Sequence, residues 1–260
     1  MLQLEFAFAS DIGDVRPTNQ DSLLAKADVI RNVSCGLFCV ADGVGGLSDG
    51  HFASKFSVSV LESWWNDKLP GMIDTLASAS SSYICNELLS LFLYINDQIF
   101  KRAQKECTRI GTTCSALFIL GEKYFIAHSG DTRIYATQKK LRPGNQIIQL
   151  TDDHTWLEDQ LKQGLLEESE IRNNPKRNLL TGCLGAFETP RISVLTGQTD
   201  RSGMFILASD GLYRNVSNKE LAKFCTQHID IKSLTDELIH MSLKRGATDN
   251  VTVVAVRCMI

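Results

Sequence analysis

No run in this chain reaches the roughly 18–20 consecutive apolar residues that a membrane-spanning helix needs. The longest, Leu88 to Ile95 with Ser90 its sole polar interruption, suits a buried helix face. The N-terminus lacks the charged and apolar zones of a signal peptide. Glu5 and Asp11 fall within it, and Leu2, Leu4, Phe6 and Phe8 alternate as in a strand. A basic excess is also missing: 27 Lys and Arg stand against 30 Asp and Glu, for a net charge of −3, which argues against a nucleic-acid binder. The eight cysteines, at 35, 39, 85, 107, 114, 183, 225 and 258, include no Cys-x-x-Cys pair and no Cys/His spacing suited to zinc. They read as free thiols, with Cys35 and Cys39 buried on one strand face. No repeat, low-complexity tract or linker marks a second domain. These absences lead us to expect a cytoplasmic protein without a membrane span.

Forty-three per cent of the 260 residues are hydrophobic and 22 per cent charged, ordinary values for a globular chain. This length can fill one core, so residues 1–260 are expected to form a single domain. Strand-like runs occur at 2–10, 22–29, 35–41, 112–120, 123–128, 132–137, 146–150, 191–196, 203–208 and 250–258. Helical spacing occurs at 50–66, 76–106, 154–163, 217–227 and 231–244, with a capping box from Ser217 to Glu220. Strands often follow one another directly, which favours antiparallel pairing. The expected class is α+β, with helices packed outside a pair of antiparallel sheets. Residues 164–190, poor in apolar side chains and carrying Asn173, Asn174, Pro175, Gly182, Gly185 and Pro190, read as a surface flap.

Three aspartates border apolar strand-like runs: Asp42 after GLFCVA, Asp210 after MFILAS, and Asp249 just before VTVVAV. Carboxylates that converge would repel one another unless cations lie between them, and hard ions such as Mg²⁺ and Mn²⁺ take oxygen ligands. Alternatively, Asp42-Gly43 and Asp210-Gly211 are strand-ending turns, since Asp-Gly is a common turn dipeptide.

Six ordered segments bear on that choice: GDVRPTNQDS (13–22), ADGVGG (41–46), GTT with SGDTR (111–113 and 129–133), LTDDHT (150–155), ASDGL (208–212) and ATDNVT (247–252). Together they resemble the metal-dependent protein serine/threonine phosphatases of the phosphatase 2C type, in the compact form found in bacteria. The resemblance spans nearly the whole chain. It implies a four-layer αββα sandwich and hydrolysis of phosphoserine and phosphothreonine on protein partners, opposing a kinase, by a monomeric enzyme. Two Mg²⁺ or Mn²⁺ ions would activate water for attack on phosphorus, so no protein nucleophile is needed.

The resemblance makes Asp42 the carboxylate bridging both ions, with the Gly43 carbonyl on one of them and Asp210 and Asp249 on the other. Asp21 would hydrogen-bond metal-bound water, and Arg16 would grip the substrate phosphate. Gln20 stands where relatives often carry Glu. Asp131 aligns with a ligand of a third, weaker ion shared with Asp210; its alternative is a hairpin turn, and the cationic Arg214 counts against that ion. Val44 replaces a histidine proposed as a proton donor in many eukaryotic relatives. His154 is one substitute, or else it caps or braces the helix that follows. Gly45 and Gly46 would let the backbone turn tightly beside the ions, and Gly111, Thr112 and Thr113 would serve sheet packing or support the ligands. Rival readings are a phosphatase for another phospho-substrate and a catalytically weak pseudophosphatase acting as a binding module.

Overall fold

The computed structural model describes every residue except 1, 46–48, 139–145, 167–169, 171–173, 175, 177–178, 201, 228–229 and 260. The strands are β1 (Gln3–Asp11), β2 (Asp21–Ile30), β3 (Val33–Gly45), β4 (Ile110–Thr112), β5 (Cys114–Leu120), β6 (Lys123–Ser129), β7 (Arg133–Gln138), β8 (Gln146–Gln149), β9 (Ser193–Gln198), β10 (Met204–Ala208) and β11 (Val251–Met259). The helices are α1 (Asp49–Ser63), α2 (Leu69–Ser78), α3 (Ser81–Glu106), α4 (Trp156–Lys162), α5 (Asp210–Tyr213), α6 (Asn218–Gln227) and α7 (Ile231–Lys244).

One sheet runs in the order β1-β11-β10-β7-β8 and the other β2-β3-β5-β6-β9, with β4 extending the second through β3. All pairings are antiparallel among the described residues. Period-2 geometry sends successive side chains to opposite faces, so the central strands, covered on both sides, must be apolar throughout. In β3, Leu37, Cys39 and Ala41 pack under α1–α3, whereas Phe38 and Val40 face the other sheet. In β11, Val251, Val253 and Ala255 meet α5–α7, whereas Val254, Val256 and Cys258 face inward between the sheets. Three apolar interfaces therefore separate four layers, helix–sheet–sheet–helix, as expected.

Some boundaries moved. The stretch from Asp49 to Ser78 is helical without a gap, through a π-helical segment at Trp64–Lys68, a widened turn directly before Pro70 in which Leu69 N–H donates to the Trp64 carbonyl. The break falls instead at Ala79, and Ser80 caps α3 by accepting from Tyr83 N at 3.3 Å. The run 112–120 divides at Thr113, whose backbone is used elsewhere. Phe8 lies 47% exposed, whereas Leu4 and Phe6 pack between the sheets. All eight cysteines are free; Cys35 and Cys39 share one core face, and Cys107 is exposed. Among the described residues no helix is long and apolar enough to cross a membrane.

Nine residues of 164–190 lie outside the described residues, Asn173 and Pro175 included. Its second half is tied down. Leu184 is fully buried and exchanges backbone hydrogen bonds with Thr112 at 2.9 and 2.8 Å. The buried Asn96 of α3 accepts from Gly185 N at 2.7 Å and donates to the Phe187 carbonyl at 3.0 Å.

Candidate functional site

Antiparallel pairing of β2 with β3 sets Asp21 directly opposite Asp42. Residues so paired point to one face, where like charges repel. The other sheet delivers Asp210, the first residue of α5 beyond β10, and Asp249, two residues before β11. Asp131 lies in the connection between β6 of one sheet and β7 of the other. Asp42, Asp131, Asp210 and Asp249 thus line a single pocket of about 290 Å³, together with Arg16, Gly43 and Arg214. Asp21, 8% exposed, stands across the strand pair from Asp42 and does not itself line the pocket.

Burial, then the charges of Asp21, Asp210, Asp131 and Asp249, push the Asp42 carboxyl well above the usual range. Burial likewise raises Asp21 to about 7, and the hydroxyls of Thr252 and Ser209 only partly offset it. Those hydroxyls bond elsewhere, to Ser10 and to the Thr252 N–H, and neither completes a hydrogen bond of good geometry to Asp21. Asp210 is also lifted to about 7 by burial, against the pull of Arg214. Two ion pairs offset part of the charge: Arg16 Nη2 donates to Asp249 Oδ2 at 2.7 Å and Arg214 Nη2 to Asp210 Oδ2 at 2.6 Å. Asp131 accepts from the Tyr213 hydroxyl at 3.2 Å.

Both oxygens of Asp21 and Oδ1 of Asp210 are buried without a hydrogen-bond partner. Orphaned carboxylate oxygens are costly unless a cation or its waters meet them. Among the described residues no three His, Cys, Asp or Glu side chains converge tightly enough to hold one ion alone. The donors therefore fit ions that keep part of their water shell, as Mg²⁺ does. A pocket with hard oxygen donors and two guanidinium groups can hold divalent cations and grip phosphoryl oxygens.

The backbone around Asp42 is pinned. Its carbonyl accepts from Thr113 N and Thr112 Oγ1, each at 2.8 Å, and its N–H donates to Thr113 Oγ1 at 3.1 Å. Gly111 and Thr112 also pair with β3 in the sheet, so the GTT segment both packs the sheet and holds the Asp42 backbone. Gly43 packs so closely on the first turn of α1 that a Cβ would lie 2.2 Å from the Gly50 carbonyl oxygen. Gly45 adopts φ +142°, which side chains disfavour, but as the last residue of β3, paired with Ile110, and not within a tight turn; Gly46 lies outside the described residues.

Three supporting groups escaped the sequence reading. Asn250 accepts from Gln20 N at 2.9 Å and donates to the carbonyls of Ile12 and Thr18 at 2.8 and 3.1 Å, fastening the loop that carries Arg16. Arg133 grips Asp153 through Nε and Nη2, at 2.9 and 2.7 Å, and lies 3.7 Å over the Tyr213 ring. Tyr213 in turn holds Asp131. Asn250 and Arg133 belong to the quoted motifs, but their long-range partners leave no mark in local spacing.

His154 is a brace and does not line the pocket. Nε2 bonds Ser193 Oγ at 2.9 Å, Nδ1 accepts from Gly130 N at 3.3 Å, and Thr155, not His154, caps α4. Its ring lies 4.6 Å from that of His128, which is also buried. Burial lowers His128 to about 4 and His154 to about 3. Both stay neutral when folded but protonate near 6.5 when unfolded. Their contribution is thus complete above pH 6.5 and is lost as pH falls toward 4, by about 2 kcal/mol per histidine at pH 5. Urea denaturation at pH 7 and pH 5 should show His154→Asn losing less stability on acidification than the wild type.

Sandwich, pocket and motif order together define a class of protein, and residues 16–254 match the protein phosphatase 2C family, to which the chain belongs. It is similar to Protein phosphatase PhpP of Streptococcus pneumoniae, 29% identical over 255 residues that cover 97% of either chain. The S. agalactiae serine/threonine phosphatase structure matches with a TM-score of 0.84 and 28% identity, covering 98% of this chain and 99% of that one. The catalytic domain of serine threonine protein phosphatase PstP, in complex with 2 manganese ions, matches with a TM-score of 0.80 and 26% identity over 100% of both chains.

Proposed function

We propose that residues 1–260 form one catalytic domain, a Mg²⁺- or Mn²⁺-dependent phosphatase that removes phosphate from phosphoserine and phosphothreonine of protein partners. The observation that carries this is the convergence, from both sheets, of Asp42, Asp131, Asp210 and Asp249 with Arg16 on one pocket, where Asp210 Oδ1 has no hydrogen-bond partner. Relatives named as protein phosphatases, one with 2 manganese ions, support it.

Asp42, the Gly43 carbonyl, Asp210 and Asp249 would hold two ions. When bound, such ions activate water and offset charge on the phosphoryl oxygens. Asp21, across the strand pair from Asp42, orients water in the site and keeps the local field negative. Arg16, half exposed at the rim, exchanges its carboxylate partner for two phosphate oxygens. The enzyme works as a cytoplasmic monomer opposing a serine/threonine kinase, a setting that the eight free thiols favour.

Phosphate release from a phosphothreonine peptide tests the reading. Turnover is expected with Mn²⁺ or Mg²⁺ and should stop with EDTA; a folded protein inactive with both metals would overturn it.

A third, weaker ion between Asp131 and Asp210 would have to compete with the Arg214 guanidinium already on Asp210. Arg214→Ala should therefore increase the number or affinity of Mn²⁺ ions bound in a calorimetric titration. Unchanged binding would show that Arg214 does not guard that place.

A further inference from the structure

A second cavity, of about 730 Å³, opens beside the acidic pocket, and Val44 and Gly45 line both. It lies between the C-terminal part of α3, with Phe100 and Ala103, and the segment bearing Ala186 and Phe187. Val44 and Phe187 are 40% and 41% exposed. Such side chains face water at a cost unless something covers them. Phe187 is not on a loose loop: the Asn96 amide, 2% exposed, clamps the backbone at Gly185 and Phe187. The apolar wall is therefore fixed before any ligand arrives, which lowers the entropic cost of binding.

A ligand spanning the two compartments needs a phosphate for one and an apolar group for the other, a few residues apart at about 3.3 Å per extended residue. The volume falls in the roughly 300–1,000 Å³ range of sites that enclose small ligands, ample for one large side chain. We propose that this groove receives a large apolar side chain flanking the phosphorylated residue in an extended segment of the protein substrate. This deepens the phosphatase reading and rests on it.

The test uses phosphothreonine peptides of equal charge in which Leu or Phe replaces Ser at each of the three positions on either side. The wild type is compared with Phe187→Asp and with Gln104→Trp, which fills the groove from the exposed face of α3. p-Nitrophenyl phosphate, which has no flanking residue, serves as control. At one position the apolar residue should raise kcat/KM about tenfold, chiefly through KM, as expected for partial burial of such a side chain. Both variants should lose that gain and keep the activity on p-nitrophenyl phosphate. Equal rates for all peptides in the wild type, or a preference that survives both variants, would overturn the groove assignment while leaving the phosphatase standing. A preference for small aryl phosphates over every peptide would also overturn it, assigning the groove to a small molecule. No turnover of any substrate with Mn²⁺ would instead remove the parent reading.

Discussion

Asp42→Asn is expected to abolish turnover while making the metal-free protein more stable. Asp42 faces Asp21 across a strand pair and lines a pocket with three further aspartates, so its ionised form is held against several like charges. The sign follows from the raised carboxyls. A carboxyl whose pKa is higher folded than unfolded is neutral at low pH without penalty, and costs stability progressively as pH rises from about 3.8 through its folded value. At pH 7.5 and without metal, the cluster therefore destabilises the fold, and removing one charge relieves it. Each kcal/mol regained in this way raises Tm by about 2–4 °C in a chain of this size. Turnover moves the other way. Loss of a group that positions charge in a preorganised site costs about 10²–10³-fold in kcat. Scanning calorimetry in EDTA and phosphate release in saturating Mn²⁺ check both halves. Near-normal kcat would remove Asp42 from the centre of the site, and a lower Tm would contradict the account of its electrostatics.

Arg133→Ala should be among the most damaging substitutions outside the pocket. The guanidinium meets Asp153 with three N–H···O contacts, of 2.9, 3.2 and 2.7 Å, and covers the Tyr213 ring. Asp153 is only 8% exposed, so removing Arg133 leaves its carboxylate buried with Gln149 as its remaining side-chain partner among the described residues. Breaking one half of a buried pair costs about 3–5 kcal/mol; the partial exposure of Arg133 places the expectation near 3. Arg133→Lys should recover only part, because an ammonium cannot reproduce the fork or the stacking. Equilibrium urea denaturation measures the loss. A change below about 0.5 kcal/mol would show that water replaces the pair at no cost.

The elements most legible in the sequence were those whose surroundings repeat at the period of the backbone. VTVVAV and GLFCVA announced strands covered on both faces, and the spacing from Ile84 to Ile99 announced the buried face of α3. Less legible were places where one residue answers to a distant neighbour. Pro70 and Gly71 resemble a helix break, yet buried Trp64, Trp65 and Leu69 hold the chain helical through them. Within the site, the motifs marked every aspartate of the pocket and Arg16. They carried no sign that Asn250 fastens the Arg16 loop, that Tyr213 holds Asp131, or that Arg214 pairs with Asp210.

The sequence by itself determined which side chains are chemically able to hold cations and phosphate, and the α+β alternation that would carry them, because residue type and periodicity are local properties. Only the tertiary structure decided that Asp21 and Asp42 share a register, that aspartates from two sheets meet at one pocket, and that an apolar groove adjoins it. Register and sheet-to-sheet packing bring together residues more than two hundred positions apart, as with Arg16 and Asp249, and contacts of that range depend on the whole core.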